Sequence, residues 1–177
     1  ALIDWLDEDD ALISPSGAED NDYAAKPFPY VTANNYLASV NELRLVEHFT
    51  IPVINALKDY VCVLPNSDLF KININTIAAD KAELLHAILD IPIADAEQVL
   101  SSRDEKGFKK TEDFFNLPEI TKLKLTDVQK ESFVVDSGYF TLKASTEFNN
   151  SYFYLNSTLA VGSDNKIRVV SRKIGRD

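Results

Sequence analysis

Acidic side chains crowd the first part of the chain, at spacings that could hold a metal ion. The candidate ligands lie on both sides of a turn-rich segment and are Asp7, Asp9, Glu19, Asp20 and Asp22. If the turn at Pro15 and Gly17 folds this segment back, the carboxylates converge around one point. Calcium then fits better than zinc, because the region has no Cys or His, and better than magnesium, because a flexible multi-oxygen site suits the larger ion. On charge pattern alone, a solvated acidic face is the simpler interpretation.

Net charge limits the classes of partner. The 177-residue chain has a formal charge of −10, which opposes binding to nucleic acid or to anionic membranes, because basic side chains supply most non-specific affinity for phosphates. Acids dominate before Lys26, whereas bases outnumber acids from Gly138 onward. Ends of such different charge are typical of separate interaction surfaces. The apolar runs are all too short to span a bilayer.

The first part of the chain predicts short helices joined by a long loop. The chain opens with the pattern of a helix end, and the Pro, Gly, Ser, Asp and Asn content of residues 14–35 predicts the loop. Ser39 is followed three residues later by Glu42, a spacing that predicts a capped helix start. A second short helix is expected over residues 51–59. The apolar residues 60–64 predict a short buried strand or an extended segment.

The middle of the chain predicts a small helical unit, with a helix-hairpin-helix-like arrangement over residues 72–120. Apolar residues recur at helical spacing before and after Pro92, so a helical hairpin is expected, with Asn75 or Thr76 as the N-cap of its first helix. Two more short helices are expected further on, over residues 110–115 and 126–133. Pro118 is expected to stop the first of these.

A change of hydrophobic period marks the C-terminal part. From Tyr139 apolar residues alternate with polar ones, which predicts a half-buried strand. Turns at residues 149–151 and 162–165 introduce two further strands, so residues 137–177 are expected to form an antiparallel β-meander. Three strands bury little apolar surface by themselves, so another element must cover their apolar face.

Other residues that could do chemistry have simpler structural interpretations. The hairpin could be a helix-hairpin-helix DNA-binding module, but its connecting residues 91–94 contain a proline and no glycine, which makes a poor phosphate cradle. His48 and His86 have no second ligand or nucleophile at a useful spacing, so an enzyme is not expected. Cys62 is the single cysteine, and a single cysteine is commonly a small buried hydrophobic residue.

Several short motifs follow one another in a set order. They are Asp4-Trp5-Leu6-Asp7-Glu8-Asp9, Gly17-Ala18-Glu19-Asp20 with Tyr23, Ser39-Val40-Asn41-Glu42-Leu43-Arg44-Leu45-Val46, Tyr60-Val61-Cys62-Val63-Leu64-Pro65, Asn73-Ile74-Asn75-Thr76 and Gly107-Phe108. The three closing strands complete the order. Each motif is short and mostly structural, but their number and order resemble the general secretion pathway protein K family of type II secretion systems. The resemblance covers nearly the whole chain.

This resemblance implies an α+β fold, in which a pilin-like antiparallel β-sheet carries a large α-helical insertion that contains the helix-hairpin-helix-like unit. It implies an α-helical domain over residues 1–136, with the acidic calcium-binding loop over 4–42, and the C-terminal meander of the pilin-like domain over 137–177. The N-terminal pilin helix, which would cover the sheet and hold the protein in the membrane, is expected to be absent from this chain.

The resemblance also implies a function. Members are non-enzymatic minor pseudopilins on the periplasmic side of the bacterial inner membrane. They form the pseudopilus tip with minor pseudopilins I and J, above the major pseudopilin, and promote assembly for protein export. Members bind calcium in the acidic region, so the resemblance favours the calcium site over the solvated face. Some members have an N-terminal cysteine outside the part present here, which makes a disulfide the second interpretation of Cys62.

Overall fold

Two compact units make up the chain in the computed structural model, residues 1–69 and residues 70–177. The structure describes residues 1–64 and 67–175. Short helices dominate the first unit, and the second unit combines helices with two small sheets. None of the described helices is both long enough and apolar enough to cross a membrane. The sequence predicts a domain boundary between residues 136 and 137, where helices give way to strands. This change lies inside the second unit, and the domain boundary there stays a prediction.

The first unit gathers short helices around an aromatic core. Its helices are α1 (Leu2–Leu6), α2 (Asp20–Ala24), a 3₁₀ helix (Val40–Arg44) and α3 (Ile51–Leu57). Trp5 and Tyr23 are buried, and their rings meet edge to face with centroids 5.2 Å apart. The other buried members of this core are Ala18, Leu43, Val46 and Ile54. Helices this short are not stable alone, so the shared core holds them in place.

The structure corrects two local predictions in the first unit. The predicted loop at residues 14–35 contains α2, and the acids in its first turn suit the positive end of the helix dipole. The short helix predicted to begin at Ser39 is confirmed as a 3₁₀ helix, but the Ser39 side chain makes no cap bond, so the predicted capping is wrong. Glu42 instead accepts hydrogen bonds from the Ala38 N–H at 2.9 Å and from Trp5 Nε1 at 3.0 Å. The buried indole N–H needs an acceptor, and the carboxylate supplies it.

The sequence predicts a buried strand or an extended segment over residues 60–64, and the buried strand is wrong. These residues form no regular strand, Val61 is 41% exposed and Cys62 is exposed. The N–H of Val61 bonds to Leu57 O at 3.1 Å, so the chain first curls away from the end of α3. Pro65, at the end of this motif, lies outside the described residues.

The predicted helical hairpin is confirmed in the second unit. Its helices are α4 (Ala82–Leu89) and α5 (Ile93–Ser101). Asp90, with a left-handed φ of 52°, ends the first helix, and Pro92 is the N-cap of the second. The shorter helices that follow are α6 (Thr111–Phe115), α7 (Pro118–Thr121) and α8 (Asp127–Glu131). The first of them ends before Pro118, as predicted, and Pro118 itself starts the next, because proline suits the first helical position.

One apolar core joins α4, α5, α6 and α7 of the second unit. Phe114 is completely buried, and its ring lies 5.2 Å from the ring of Phe133 and 6.0 Å from that of Phe108. The buried members of this core are Ile74, Ile77, Ala82, Leu85, Leu89, Ile91, Ala96, Val99, Leu100, Phe114, Ile120 and Phe133. The apolar periodicity of the sequence therefore identifies the inner faces of the hairpin.

Asn75 links three segments of the second unit instead of capping a helix. Its Nδ2 donates to the carbonyl oxygens of Phe108 at 2.9 Å and Val135 at 3.1 Å, and its Oδ1 accepts from the Phe108 N–H at 2.7 Å. Gly107 has φ +72°, and a Cβ there would lie 2.6 Å from Asn75 Oδ1. The predicted cap is therefore wrong: α4 follows Lys81, and the amide serves a long-range link.

A two-stranded parallel sheet in the second unit is absent from the sequence predictions. Its strands are β1 (Ile72–Asn73) and β2 (Phe133–Val134). The helix predicted over residues 126–133 is therefore shorter than expected, because its last residues belong to β2. Strands of two residues have no period, so hydrophobic alternation gives no signal for them.

The predicted C-terminal meander is confirmed. Its strands are β3 (Tyr139–Phe148), β4 (Ser151–Val161) and β5 (Ile167–Ile174). They pair antiparallel in the order β3-β4-β5. Asn149 and Asn150 form the turn between the first two strands, and both have positive φ, a conformation that Asn tolerates well. A register shift between Thr158 and Leu159 interrupts the pairing of β4 with β5.

The sheet is more exposed than the sequence predicts. Every residue of β3 is exposed, including Phe140 at 51% and Phe148 at 67%. The alternation is present, but it identifies only the face that can be buried and not the element that covers it. Helices followed by a separate antiparallel sheet give the chain the predicted α+β class.

Candidate functional site

Asp4 folds the acidic segment back on itself. Its side chain is 1% exposed, and it accepts hydrogen bonds from the Ile13 N–H at 3.0 Å and the Ala18 N–H at 3.2 Å. Gly17 leaves room for this approach, because a Cβ there would lie 2.5 Å from Asp4 Oδ2. The segment folds back as expected, around an acid that was not a predicted ligand.

Glu19 is buried without a hydrogen-bond partner for its carboxylate. The residue is 3% exposed, and within the described structure neither Oε1 nor Oε2 has a partner. Burial raises the pKa of Glu19, and neighbouring negative charges raise it further. Those charges are on Asp7, Asp4, Asp10 and Asp20. A buried carboxylate among other carboxylates needs a cation or a proton.

Two more buried oxygens without partners belong to Asp7 and Asn34. The Oδ1 atom of each is buried and unpaired within the described structure. Asp7 directly follows α1, and Asn34 is fastened to the same helix, because its N–H bonds to Trp5 O at 3.1 Å. Asn34 has a φ of 44°, a region that Asn adopts more readily than most residues. Sequence analysis missed Asn34; the available signal was the pair Asn34-Asn35 in a turn-rich loop.

Asp20 fastens a distant loop to the start of α2. Its Oδ1 accepts hydrogen bonds from the Thr32 hydroxyl at 2.6 Å and the Thr32 N–H at 2.8 Å. These bonds hold the pKa of Asp20 below its usual value. Thr32 is itself buried. Asp20 therefore acts on the site in two ways, by positioning the loop and by adding negative charge near Glu19.

The remaining predicted ligands have local partners. Asp22 Oδ2 accepts from the Glu19 N–H at 3.0 Å. Asp9 is exposed, and its Oδ1 accepts from the Ala11 N–H at 2.8 Å. Of the predicted set, Asp7 and Glu19 are brought together, and theirs are the oxygens that are buried and unpaired in the described structure.

The unpaired oxygens suit a hard cation. Glu19 and Asp7 offer carboxylate oxygens and Asn34 offers an amide oxygen, and all of them are acceptors of the kind that calcium binds. Over residues 1–64 and 67–175, no group of three or more His, Cys, Asp and Glu side chains is arranged to hold a metal ion. The structure thus brings the carboxylates of Asp7 and Glu19 together, and the set of five carboxylates stays a prediction.

The helical hairpin has the wrong chemistry for a phosphate site. Its connection contains Asp90, a negative charge, and Pro92, which has no N–H to donate. His86 is used locally, because its Nδ1 hydrogen-bonds to Ile91 O at 2.5 Å. A negative charge and a proline at the turn both oppose contact with DNA. The DNA-binding alternative is therefore not favoured.

Cys62 and His48 are surface residues. Cys62 is exposed and has no disulfide partner within this chain, so its interpretation as a buried hydrophobic residue is wrong. A disulfide to a cysteine outside the chain stays a prediction. His48 has a φ of 71°, and its Nε2 hydrogen-bonds to Ser16 O at 3.2 Å, so its described role is to join two loops.

The C-terminal sheet offers a second candidate surface. Cross-strand pairs place Phe140 opposite Leu159 and Ala144 opposite Leu155, so apolar residues of neighbouring strands share a face. The exposed large apolar residues of this apolar sheet face are Phe140, Leu142, Phe148, Phe153, Val161, Ile167, Val169 and Ile174. Exposed apolar patches of this kind mark interaction sites.

Two family models match the chain, and both describe Type II secretion system (T2SS), protein K. One matches residues 1–66 and the other residues 72–136. The first match includes the acidic site, and the second includes the helical hairpin.

Curated relatives match along nearly the whole chain. Type II secretion system protein K of Aeromonas hydrophila is 37% identical over 179 residues, which cover 99% of this chain and 53% of the relative. The protein of the same name from Pectobacterium carotovorum subsp. carotovorum is 33% identical over 180 residues, with 99% and 53% covered. That from Pseudomonas aeruginosa is 31% identical over 175 residues, with 99% and 50% covered. The chain spans about half the length of the curated relatives it matches.

A solved structure shares the fold. A chain in the crystal structure of the GspK-GspI-GspJ complex from the enterotoxigenic Escherichia coli type 2 secretion system superposes with a TM-score of 0.85. The two sequences are 27% identical, and the match covers 99% of this chain and 61% of that chain. The pilin-like sheet with a helical insertion, expected from the sequence, is thereby confirmed. Two family models, named relatives and a common fold agree, and the chain belongs to the type II secretion system protein K family.

Proposed function

We propose that this chain is the periplasmic part of a minor pseudopilin with a structural, non-enzymatic role at the pseudopilus tip. The observation that carries the proposal is the superposition of 99% of the chain on a chain of the GspK-GspI-GspJ complex. The partners would then be minor pseudopilins I and J, above the major pseudopilin, and the role would be to promote pseudopilus assembly for protein export. An N-terminal helix outside this chain would hold the whole protein on the periplasmic side of the inner membrane.

The apolar sheet face supports this role, because a pilin-like sheet needs a helix against it. Phe153 is 54% exposed and Ile174 is 80% exposed. Each side chain of this size contributes about 1.5–3 kcal/mol when it is fully buried. Leaving so many of them in water is costly, so we assign this face to the N-terminal helix of the whole protein.

Co-purification of the whole periplasmic protein with pseudopilins I and J tests the proposal. The wild type is expected to elute with both partners as one ternary complex. Leu142→Arg places a charge on the apolar sheet face, which must then be buried under the helix, so the complex is expected to be lost. Thr141→Arg is the matched control on the opposite face and should preserve the complex. Separate elution of the wild type and its partners would contradict the role.

We also propose that Glu19 and Asp7 hold a calcium ion. The support is the buried Glu19 carboxylate beside the half-buried Asp7 carboxylate. Both Glu19 oxygens and Asp7 Oδ1 are buried and unpaired within the described structure. When bound, calcium supplies the positive charge that neutralises these groups. Asp22 fixes the Glu19 backbone, Asp20 fastens the nearby loop through Thr32, and Asp9 is exposed.

Thermal melting with calcium chloride or with a chelator tests the cation site. Calcium should raise the melting temperature of the wild type, because a ligand that binds only the folded state stabilises it. Glu19→Gln should remove the response, whereas Glu8→Gln, which alters an exposed acid of the same segment, should keep it. A wild type that melts at one temperature under both conditions would show that the acids form a solvated face.

A further inference from the structure

One charged residue interrupts the apolar sheet face. Cross-strand pairing places Arg172 of β5 opposite Ser157 of β4, and Ser157 opposite Leu142 of β3, so the three side chains share this face. Among the described residues of the face, Arg172 alone is ionisable. Ser157 belongs to the central strand of the sheet. A polar pair therefore lies within a surface that otherwise suits burial.

A β-bulge brings Arg172 to this face. Side chains alternate between the two faces along a regular strand, so Val169 and Arg172, three residues apart, would ordinarily lie on opposite faces. Val169 and Ser171 pair with consecutive residues of β4, which leaves Val170 as an extra residue in β5. One extra residue reverses the alternation beyond it, and bulges often redirect a side chain in this way. The fold thus positions the Arg172 charge on the apolar sheet face.

Ser157 adds a second polar group beside this charge. The residue is 2% exposed, and its Oγ is buried without a hydrogen-bond partner within the described structure. Its cross-strand neighbours Leu142 and Arg172 are exposed, so the short hydroxyl lies low between longer side chains. Directly opposite residues have Cβ atoms about 4.5–5.5 Å apart. The flexible Arg172 side chain can therefore bring its guanidinium to an acceptor that the hydroxyl also reaches.

Covering the face changes what these two groups require. Water solvates Arg172 in the exposed sheet, but a helix laid over the face removes that water. A buried charge without an opposite charge is strongly destabilising, whereas a guanidinium and a carboxylate form a strong, often two-pronged ion pair. An ionised carboxylate has several acceptor positions, and a hydroxyl needs only one of them for its proton. One carboxylate on the covering helix therefore satisfies both Arg172 and Ser157.

We propose that the helix covering the apolar sheet face presents one Asp or Glu carboxylate to Arg172 and Ser157, among residues that are otherwise apolar, and that this contact sets the helix position along the sheet. The inference rests on the role proposed above and adds the chemistry by which the helix is recognised. Apolar contacts tolerate a shift of one helical turn, whereas a single buried polar contact specifies one register.

The occupant is the N-terminal helix of the whole protein. The chain spans about half the length of the curated relatives it matches, so the whole protein has enough further residues to supply a helix. An arginine on the sheet also selects a segment of opposite charge from among apolar helices, because an uncharged one would leave Arg172 buried and unpaired.

Urea denaturation of the whole periplasmic protein tests the ion pair. Arg172→Met should lower the urea midpoint by about 1 M or more at pH 7, because it leaves a buried carboxylate without its partner. The loss should disappear below about pH 4, where Asp and Glu take up a proton. Ser157→Ala should show a smaller loss. Lys143→Met is the matched control, because Lys143 is exposed on the opposite face, and its midpoint should not change.

Carbodiimide cross-linking of the same protein identifies the carboxylate. Arg172→Lys keeps the positive charge and supplies an amine, which the reagent joins to a carboxylate in contact with it. Mass spectrometry should find position 172 linked to one Asp or Glu outside residues 1–177, and should find Lys143 unlinked to that acid. A link only to an acid within residues 1–177, or no link, would overturn the inference.

The outcomes separate this inference from the proposed role. If Leu142→Arg and Arg172→Met both leave the midpoint unchanged, the face is uncovered, and the assignment of the helix fails together with the inference. If Leu142→Arg lowers the midpoint while Arg172→Met has no effect, the helix assignment stands and the inference is overturned. A loss for Arg172→Met that is equal at pH 7 and below pH 4 also overturns it, because the partner is then not a carboxylate.

Discussion

The two units bury different kinds of side chain, although both are built from short helices. The second unit surrounds Phe114 with apolar residues, and the amide of Asn75 is bonded at both its oxygen and its nitrogen. The first unit buries Asp4 and Glu19 beside an aromatic core, and both carboxylate oxygens of Glu19 are unpaired within the described structure. Packing completes the helical part of the second unit, whereas the first unit buries a carboxylate that has no hydrogen-bond partner within the described structure.

The largest expected effect comes from breaking the apolar core of the second unit. Phe114→Ala removes a completely buried ring and leaves a cavity, so the free energy of unfolding should fall by about 3–5 kcal/mol. Urea denaturation followed by fluorescence measures this change. Phe70→Ala is the control, because Phe70 is 60% exposed. This substitution should change the free energy of unfolding by less than about 0.5 kcal/mol. Equal losses in the two variants would contradict the comparison.

The second effect tests whether the first unit depends on charge rather than on packing. At a calcium concentration about 100 times the dissociation constant, the free energy of unfolding should rise by about 2.7 kcal/mol. Urea denaturation with and without calcium measures the increment. The same increment should appear in Phe114→Ala, because Phe114 belongs to the core of the other unit and changes without shared partners are usually additive. If the increment disappears in this variant, calcium stabilises the second unit and not the first.

A third effect concerns the penalty for burying a charged Glu19 without calcium. Burial and neighbouring acids raise the pKa of Glu19 above its usual 4.5, so the folded state binds a proton more tightly than the unfolded state. The penalty is fully present above the folded pKa and diminishes as the pH falls through it. In calcium-free buffer near pH 7, Glu19→Gln should therefore raise the free energy of unfolding by about 1–3 kcal/mol.

The pH dependence of this gain is its check. Urea denaturation of the wild type and Glu19→Gln should show the gain near pH 7 and lose most of it below pH 4.5, where Glu19 is protonated in both states. Glu8→Gln should show no comparable gain. A gain for Glu19→Gln that is the same at both pH values would mean that the carboxylate charge is not its cause.

The smallest effect is expected at Cys62, which is exposed and belongs to neither core. Cys62→Ser should change the free energy of unfolding by less than about 0.5 kcal/mol. A maleimide reagent should modify the native thiol without denaturant. Protection of the thiol in this 177-residue chain would indicate that the segment is buried, as the sequence first suggested.

The elements that the sequence predicts well are those whose hydrophobic period extends over many residues. The hairpin around Pro92 and the meander after Tyr139 have long, regular patterns, and both are confirmed. The parallel pair that joins Ile72 to Phe133 consists of strands too short to show a period. The cap predicted at Asn75 fails because its amide bonds to a backbone 33 residues away, and local spacing says nothing about such a contact.

In the candidate site, too, some residues can be predicted from the sequence and others only from the folded structure. Charge density in the sequence is enough to identify the acidic segment that contains Asp7 and Glu19, because repelling carboxylates close in sequence need a counter-charge. It cannot distinguish them from Asp22, which serves the backbone of Glu19. Asp4 and Asn34 enter the site through folded-state contacts with distant backbone groups. A neutral amide also gives no signal in a charge pattern.

The acidic segment can fold back only because residue 17 is glycine, and this limits which residues related proteins can have at that position. A methyl group at this position would meet Asp4 Oδ2 at 2.5 Å, Leu12 Cδ2 at 2.9 Å and Ser14 O at 3.0 Å. Even alanine, the smallest possible replacement, therefore requires the side chains of Asp4 and Leu12 to move first. Homologues that retain an acid at the position of Asp4 should also retain glycine at position 17, so the two positions should be inherited as a pair.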